Sequence, residues 1–214
     1  MRKKNIVIIG GGGHSKVLIS SLMRSESWRI IGYTDVKKGN LNVVEYLGTD
    51  DVLDSLFATV QFAVVGIGHI TNYDLRCKLY NKIKTIGYTL PPIISESAVV
   101  MHNVKIGEGT FIAENAYIGP EVKIGIMNII NTGSIVEHDT ECGDFVHLAI
   151  NSAIGGNVTI GRGSFVGMGA GVLNGVKLGE NVIIAAGTIV RKNVENSAFV
   201  YGNPMRIKKN HKQV

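Results

Sequence analysis

The chain has 214 residues, 45% of them apolar and 18% charged, which suits one large domain or two small ones with a substantial core. Its formal charge of +5 is scattered; the one cluster, Lys208-Lys209-Asn210-His211-Lys212, reads as a solvated, frayed end with no interleaved aromatics to suggest nucleic acid. The run Ile6–Ile9 is too short for a signal peptide or a membrane span, and two cysteines make no disulfide framework, so a cytoplasmic chain in a reducing compartment is expected.

Residues 4 to about 90 alternate strand and helix. Asn5 to Ile9 is a short apolar strand, followed by the turn Gly10-Gly11-Gly12-Gly13 and a helix through Val17, Leu18 and Leu22. Arg29 to Tyr33 is a second strand ending at Asp35. Thr49 or Asp50 caps a short helix through Leu53 and Leu56, Phe62 to Gly66 is a third strand, and a longer helix runs from Tyr73 through Ile83. Pro91-Pro92 ends the pattern. Residues 1–92 therefore read as an α/β, Rossmann-like mononucleotide-binding domain with a parallel sheet.

Gly10, Gly12 and Ser15 stand at the three fingerprint spacings of a strand-to-helix phosphate loop, where backbone N–H groups can approach a pyrophosphate. Asp35, at the end of the next strand, is placed to bind a ribose hydroxyl. The domain stops where a second dinucleotide half would begin, so a nucleoside diphosphate group suits it better than NAD. His14 is either an exposed first-turn histidine or a donor to phosphate or sugar. Gly68, in the second glycine loop Gly66-Ile67-Gly68-His69, is a wall of the same pocket.

From Val100 to Val190 an apolar residue returns every sixth position with no phase slip. Neither helix nor alternating strand keeps that period, but a β-helix of three hexads per coil does. Side chains just before each anchor point outward and fall into three columns. Lys105, Lys123, Glu141, Thr159 and Lys177 form a polar face. Phe111, Ile129, His147, Phe165 and Ile183 form a second face, apolar apart from the histidine, and Tyr117, Ile135, Ala153, Gly171 and Ile189 form a third, also apolar. Two adjacent apolar faces predict three prisms packed around an axis as a homotrimer.

His138 falls at the corner between the third face and the polar face, followed by Asp139, so an oriented imidazole is available as a base. Eighteen residues on, Gly156 stacks one coil away and can aim a backbone N–H at an oxyanion. His147 lies on the face that a neighbour would present to the same groove. Cys142, at an anchor, is a buried small hydrophobe.

The segments IIGGGGHSKVL, IINTGSIVEHDTECGDFVHLAINSAIGGNVTIG and VYGNPMR together resemble the PglD/NeuD-like sugar acetyltransferases over nearly the whole chain. The resemblance implies a left-handed parallel β-helix over 93–194, a C-terminal extension over 195–214, and a trimer. It also implies transfer of an acetyl group from acetyl-CoA to an amine of a nucleotide-linked (UDP- or GDP-) amino sugar in surface glycan biosynthesis. His138 resembles the general base and Asp139 the acid behind it, where the best-known members have Glu. His147, Met168 and Ala186 match positions that line the acetyl-CoA site; Gly12, Gly13, His14, Asp35 and Gly68 match those that hold the nucleotide sugar.

An O-acetyltransferase acting on sialic acid or its nucleotide form is the alternative, since the same histidine can activate a hydroxyl. A zinc enzyme of this fold needs three histidines across a subunit boundary, and the solenoid offers only His102, His138 and His147, one with the acid expected of a base, so no metal is expected. A non-catalytic nucleotide-sugar-binding scaffold and an NAD-dependent oxidoreductase are the remaining, weaker readings.

Overall fold

The computed structural model describes residues 3–209. Strands β1 (Lys4–Ile9), β2 (Trp28–Thr34), β3 (Tyr46–Gly48) and β4 (Phe62–Val65) form one parallel sheet in the order β3-β2-β1-β4. Helix α1 (Gly13–Arg24) links β1 to β2, α2 (Leu53–Leu56) lies between β3 and β4, and α3 (Asp74–Ile86) follows β4 and leads to the second part of the chain. Ile6, Val7, Ile8 and Ile9 are all buried, as expected for a parallel strand covered on both sides. α3 stops because Gly87 adopts φ +110 and returns its N–H to Ile83 O and Lys84 O.

Two local features differ from the sequence expectation. β3 was not anticipated: three half-buried residues are too few to display a period. Thr49 does occupy the capping position, ahead of a 3₁₀ turn at Asp50–Val52, but makes no cap bond; its hydroxyl donates to Asp51 Oδ2 at 2.9 Å.

From Ile93 to Val190 the chain winds through two-residue strands that pair in parallel with a register of eighteen residues: Ile129 lies between Phe111 and His147, and Ile135 between Tyr117 and Ala153. Three sheets result, and the domain is a left-handed parallel β-helix. The anchors fill its interior, with Ile112, Ile118, Ile130, Val136, Leu148 and Val166 fully buried. Several buried Thr, Ser and Asn two places earlier are satisfied by the next coil: Thr110, Thr140 and Ser164 each donate to a carbonyl fifteen residues on, at 2.9 Å. Glycine after an anchor is required by close stacking, since a Cβ on Gly107 would come 2.5 Å from Gly125 backbone. Left-handed backbone instead falls three residues after the anchor, usually on Asn or Gly, as at Asn103, Gly109 and Asn115.

The second apolar face is not free for a neighbour. Phe111, Ile129 and Ile183 are buried within the chain itself: Phe111 packs into the α/β core, Ile129 lies between Phe111 and His147, and Ile183 is flanked by a further rung, Ala198–Tyr201. This corrects the expectation of two exposed faces: an outward apolar column reads the same whether its cover is another subunit or another part of the same chain. The third face does stay open, with Val99 51% and Ile135 42% exposed. The C-terminal end also differs. Residues 206–209 form a strand antiparallel to Ala198–Tyr201, so Lys208 and Lys209 are not frayed, while Asn210, His211 and Lys212 lie outside the described residues.

Met127 and Phe145 break the corner pattern. Both take left-handed backbone (φ 57° and 56°), which is costly for large side chains, by roughly 1–3 kcal/mol each. Both are buried in the α/β core, where Phe145 stacks on Tyr73 at 5.2 Å between ring centres and meets Tyr80 edge-on. Their burial offsets the strain. Around them, Glu108 receives Tyr80 Oη at 2.6 Å and Lys84 Nζ at 2.9 Å, tying α3 to the solenoid.

Candidate active site

At the corner between the third face and the polar face, His138 and Asp139 are exposed. Asp139 takes φ +59°, a left-handed turn position that a short acidic residue tolerates, and its Oδ2 lies 2.8 Å from His138 Nδ1. The carboxylate accepts, so Nδ1 carries the proton and Nε2 keeps its lone pair. Gly156 sits directly beneath: Asn157 N donates to His138 O at 2.8 Å, and a Cβ on Gly156 would stand 2.5 Å from His138 Nε2. Glycine at that place is what leaves room for the imidazole. The Gly156 N–H has no acceptor among the described residues.

The glycine turn lies over the other side of the prism, above the second face. Gly12 caps α1 without a side-chain bond, no acidic residue occupies the first turn, and Gly12 and Gly13 are exposed. A Cβ at either would meet nothing within 4 Å, so packing does not demand glycine there, whereas close approach of an anion to the helix N-terminus would. Asp35 braces the turn: Oδ2 accepts the Gly11 N–H and Oδ1 the Val36 N–H, each at 2.6 Å. Ser15, at the third fingerprint position, is spent on structure, donating to Gly10 O at 2.6 Å and Gly66 O at 2.9 Å.

His14 does not point out of the turn. It packs edge-on against Phe111 at 5.7 Å, with Nε2 enclosed and without a hydrogen-bond partner among the described residues, and Gly68 lies beside it. His147 is also inside the seam: its ring is 5.1 Å from Phe165 and 5.5 Å from His69, and its Nδ1 lies 2.6 Å from His69 O. Burial, with Arg76 nearby, pushes His14 and His69 down to about 3 and His147 to about 4, so all three are neutral at physiological pH. Met168 and Ala186 stand eighteen residues apart on the corner between the second and third faces, both exposed. Beside them an apolar groove of about 370 Å³ runs between Ile70, Phe165, Ile183 and Phe199.

The structure thus brings together His138, Asp139 and Gly156, and separately Gly12, Gly13, His14, Asp35 and Gly68. It does not join the two groups within one chain, since His138's corner lies opposite the second face. Sequence reasoning missed Arg76, although it shares the buried stripe of α3 with Leu79 and Ile83, where a cation is out of place. Cys142 is buried as expected, its thiol pushed up to about 12 by burial. Among the described residues, no cluster of His, Cys, Asp or Glu could hold a metal, and no helix is long and apolar enough to cross a membrane.

Residues 5–83 match the PglD N-terminal domain family, and residues 157–192 match the bacterial transferase hexapeptide family (six repeats). No curated protein matches the chain. Among solved structures, it is similar to GDP-perosamine N-acetyl transferase from Caulobacter crescentus, there a histidine-to-alanine mutant in complex with CoA and GDP-perosamine. That similarity has 35% identity and a TM-score of 0.90, and covers 95% of this chain and 96% of the other. The acetyltransferase domain of PglB from Neisseria gonorrhoeae, in complex with acetyl coenzyme A, is 26% identical with a TM-score of 0.89, covering 96% of this chain and 99% of that one. WeeI from Acinetobacter baumannii, at 24% identity, TM-score 0.82 and 96% and 100% coverage, shares the fold. With both parts of the chain matched in the same order, the protein belongs to the PglD/NeuD-like family of hexapeptide-repeat sugar acetyltransferases.

Proposed function

We propose that the chain transfers the acetyl group of acetyl-CoA to the amino group of a nucleotide-linked amino sugar destined for surface glycans. The observation that carries this is the exposed His138, oriented by Asp139 and seated against Gly156, whose N–H has no acceptor among the described residues. The substrate amine, having lost its ammonium proton to solvent, attacks the thioester carbonyl while His138 Nε2 takes the second proton. The Gly156 N–H faces the oxyanion, the C–S bond breaks, and the imidazolium returns the proton to the departing CoA thiolate. No acyl-enzyme is required. His147, Met168 and Ala186 line the coenzyme's path; Gly12 and Gly13 receive the diphosphate, and Asp35, His14 and Gly68 shape the pocket for the rest of the nucleotide sugar. The reaction belongs in the cytoplasm, where the free Cys77 and Cys142 stay reduced. Incubating the protein and acetyl-CoA with UDP-, GDP- and CMP-linked amino sugars and with hydroxyl acceptors, while following free thiol, tests the reading. Thiol release with hydroxyl acceptors alone would make it an O-acetyltransferase.

Because one chain holds its base and its sugar pocket on opposite sides of the prism, a homotrimer completes each site at a subunit boundary, through the exposed third face. Ile135→Asp is expected to give monomers by sedimentation and to abolish transfer. Assayed at nucleotide-sugar concentrations well below KM, mixed trimers of His138→Ala and Gly12→Val chains should exceed the activity of either parent; no excess would argue against shared sites.

Gly12→Val should raise the KM for the nucleotide sugar by about tenfold or more, the loss of one or two amide–phosphate bonds. Because the added side chain meets no protein atom within 4 Å of its Cβ, the melting temperature should hold. An unchanged sugar KM would remove the glycine turn from the site.

A further inference from the structure

Arg76 is 1% exposed and forms no ion pair among the described residues. Its guanidinium instead donates to two carbonyls: Nη1 to Ile67 O, in the second glycine loop, and Nη2 to Met127 O, at 2.8 Å, in a corner of the solenoid. The loop so held, Gly66–His69, has contacts on three sides. Gly66 O receives the Ser15 hydroxyl from the first glycine turn, Gly68 lies against His14, and His69 O receives the Nδ1–H of His147. A carbonyl only accepts, so this last bond fixes the proton on Nδ1 and leaves Nε2 of His147 as an acceptor, enclosed and unpartnered in the seam.

Burying a guanidinium is expensive, and a methionine or leucine would fill the same space at lower cost. What only arginine supplies is a planar fork that reaches two fixed acceptors at once; a lysine ammonium reaches one.

We propose that Arg76 is a positioning residue for the transfer reaction: by clamping the Gly66–His69 loop between the glycine turn and the solenoid, it sets both the Gly68 wall of the sugar pocket and the tautomer of His147. The assignment rests on the function proposed above. It makes one loop the common support of a pocket wall for the nucleotide sugar and of a coenzyme-side histidine.

The test uses the full chain as wild type, Arg76→Lys, Arg76→Met and, as a control in the same seam, Lys84→Met, which loses only the half-exposed pair with Glu108. Two readouts are taken: the ring ¹⁵N resonances of His147 without ligands, and kcat and KM measured separately for both substrates. Arg76→Lys should keep the fold and the assembly, show a population of the Nε2–H tautomer, and raise the sugar KM by about tenfold with little change in kcat. Lys84→Met should leave both readouts alone. Arg76→Lys keeps the cation and one of its two bonds, so it answers the question even if Arg76→Met does not fold. A folded Arg76→Lys chain with unchanged tautomer or unchanged sugar KM would overturn the clamp, as would Lys84→Met producing the same shifts. A wild-type chain that transfers no acetyl group would instead strike the proposed function, while the ligand-free ¹⁵N measurement would still decide whether Arg76 orients His147.

Discussion

His138→Ala should lower kcat by about 10²–10⁴, the range for losing a group that moves the proton in the transition state. The side chain is exposed on a corner and, among the described residues, bonded only to its neighbour Asp139, so the stacked core, the assembly and the affinity for both substrates should survive its removal. Asp139→Asn should cost less, because the imidazole remains while its orientation and basicity weaken. Gly156→Ala should approach the histidine deletion in severity, since the new methyl would stand 2.5 Å from Nε2 and push the ring aside. Near-normal turnover in His138→Ala, under conditions where chemistry limits the rate, would remove it from the mechanism.

Acidification should unlock the seam between the two parts of the chain. His14, His69 and His147 are neutral when folded, held down to about 3, 3 and 4 by burial and then by Arg76, against about 6.5 when unfolded. Between those values the unfolded chain binds protons that the folded chain refuses. Their contribution is therefore complete above about pH 6.5 and is lost progressively as the pH falls toward 3–4. From pH 7 to pH 5 linkage gives a loss of about 2 kcal/mol per histidine, so up to about 6 kcal/mol if the three titrate independently, against a typical domain stability of 5–15 kcal/mol. Urea unfolding at pH 7, 6 and 5 should show this fall, and His147→Gln, which can still donate to His69 O, should flatten it by about a third. A midpoint that does not move between pH 7 and pH 5 would mean that these imidazoles are not buried in solution.

The solenoid was legible in the sequence because every coil repeats the same physical demand, an apolar anchor with a small residue two places before it. The His138 corner was legible because stacking at eighteen residues puts Gly156 beneath it whatever else the chain does. The seam was not. His14 follows the glycines as a ligand histidine would, yet its ring turns inward to Phe111; Ser15 sits on a fingerprint position and serves Gly10 and Gly66. Met127 and Phe145 occupy turn positions whose usual occupants are Asn and Gly. That misfit, together with Arg76 on the apolar stripe of α3, was the available trace of a second layer packed on the prism. Period reads what repeats, and an interdomain contact happens once.

A parallel β-helix is, at its last coil, an unfinished sheet ready to accept another. Here the chain doubles back: Ala198–Tyr201 forms the last parallel rung of the second face, and the strand 206–209 closes it in the opposite direction, bringing Arg206 and Lys208 to the rim. A reversed, positively charged rim offers poor register to the first coil of another molecule. The hairpin thus separates a repeat that could polymerise end to end from an enzyme of fixed length, and the sideways contacts of the third face are left to decide how many copies assemble.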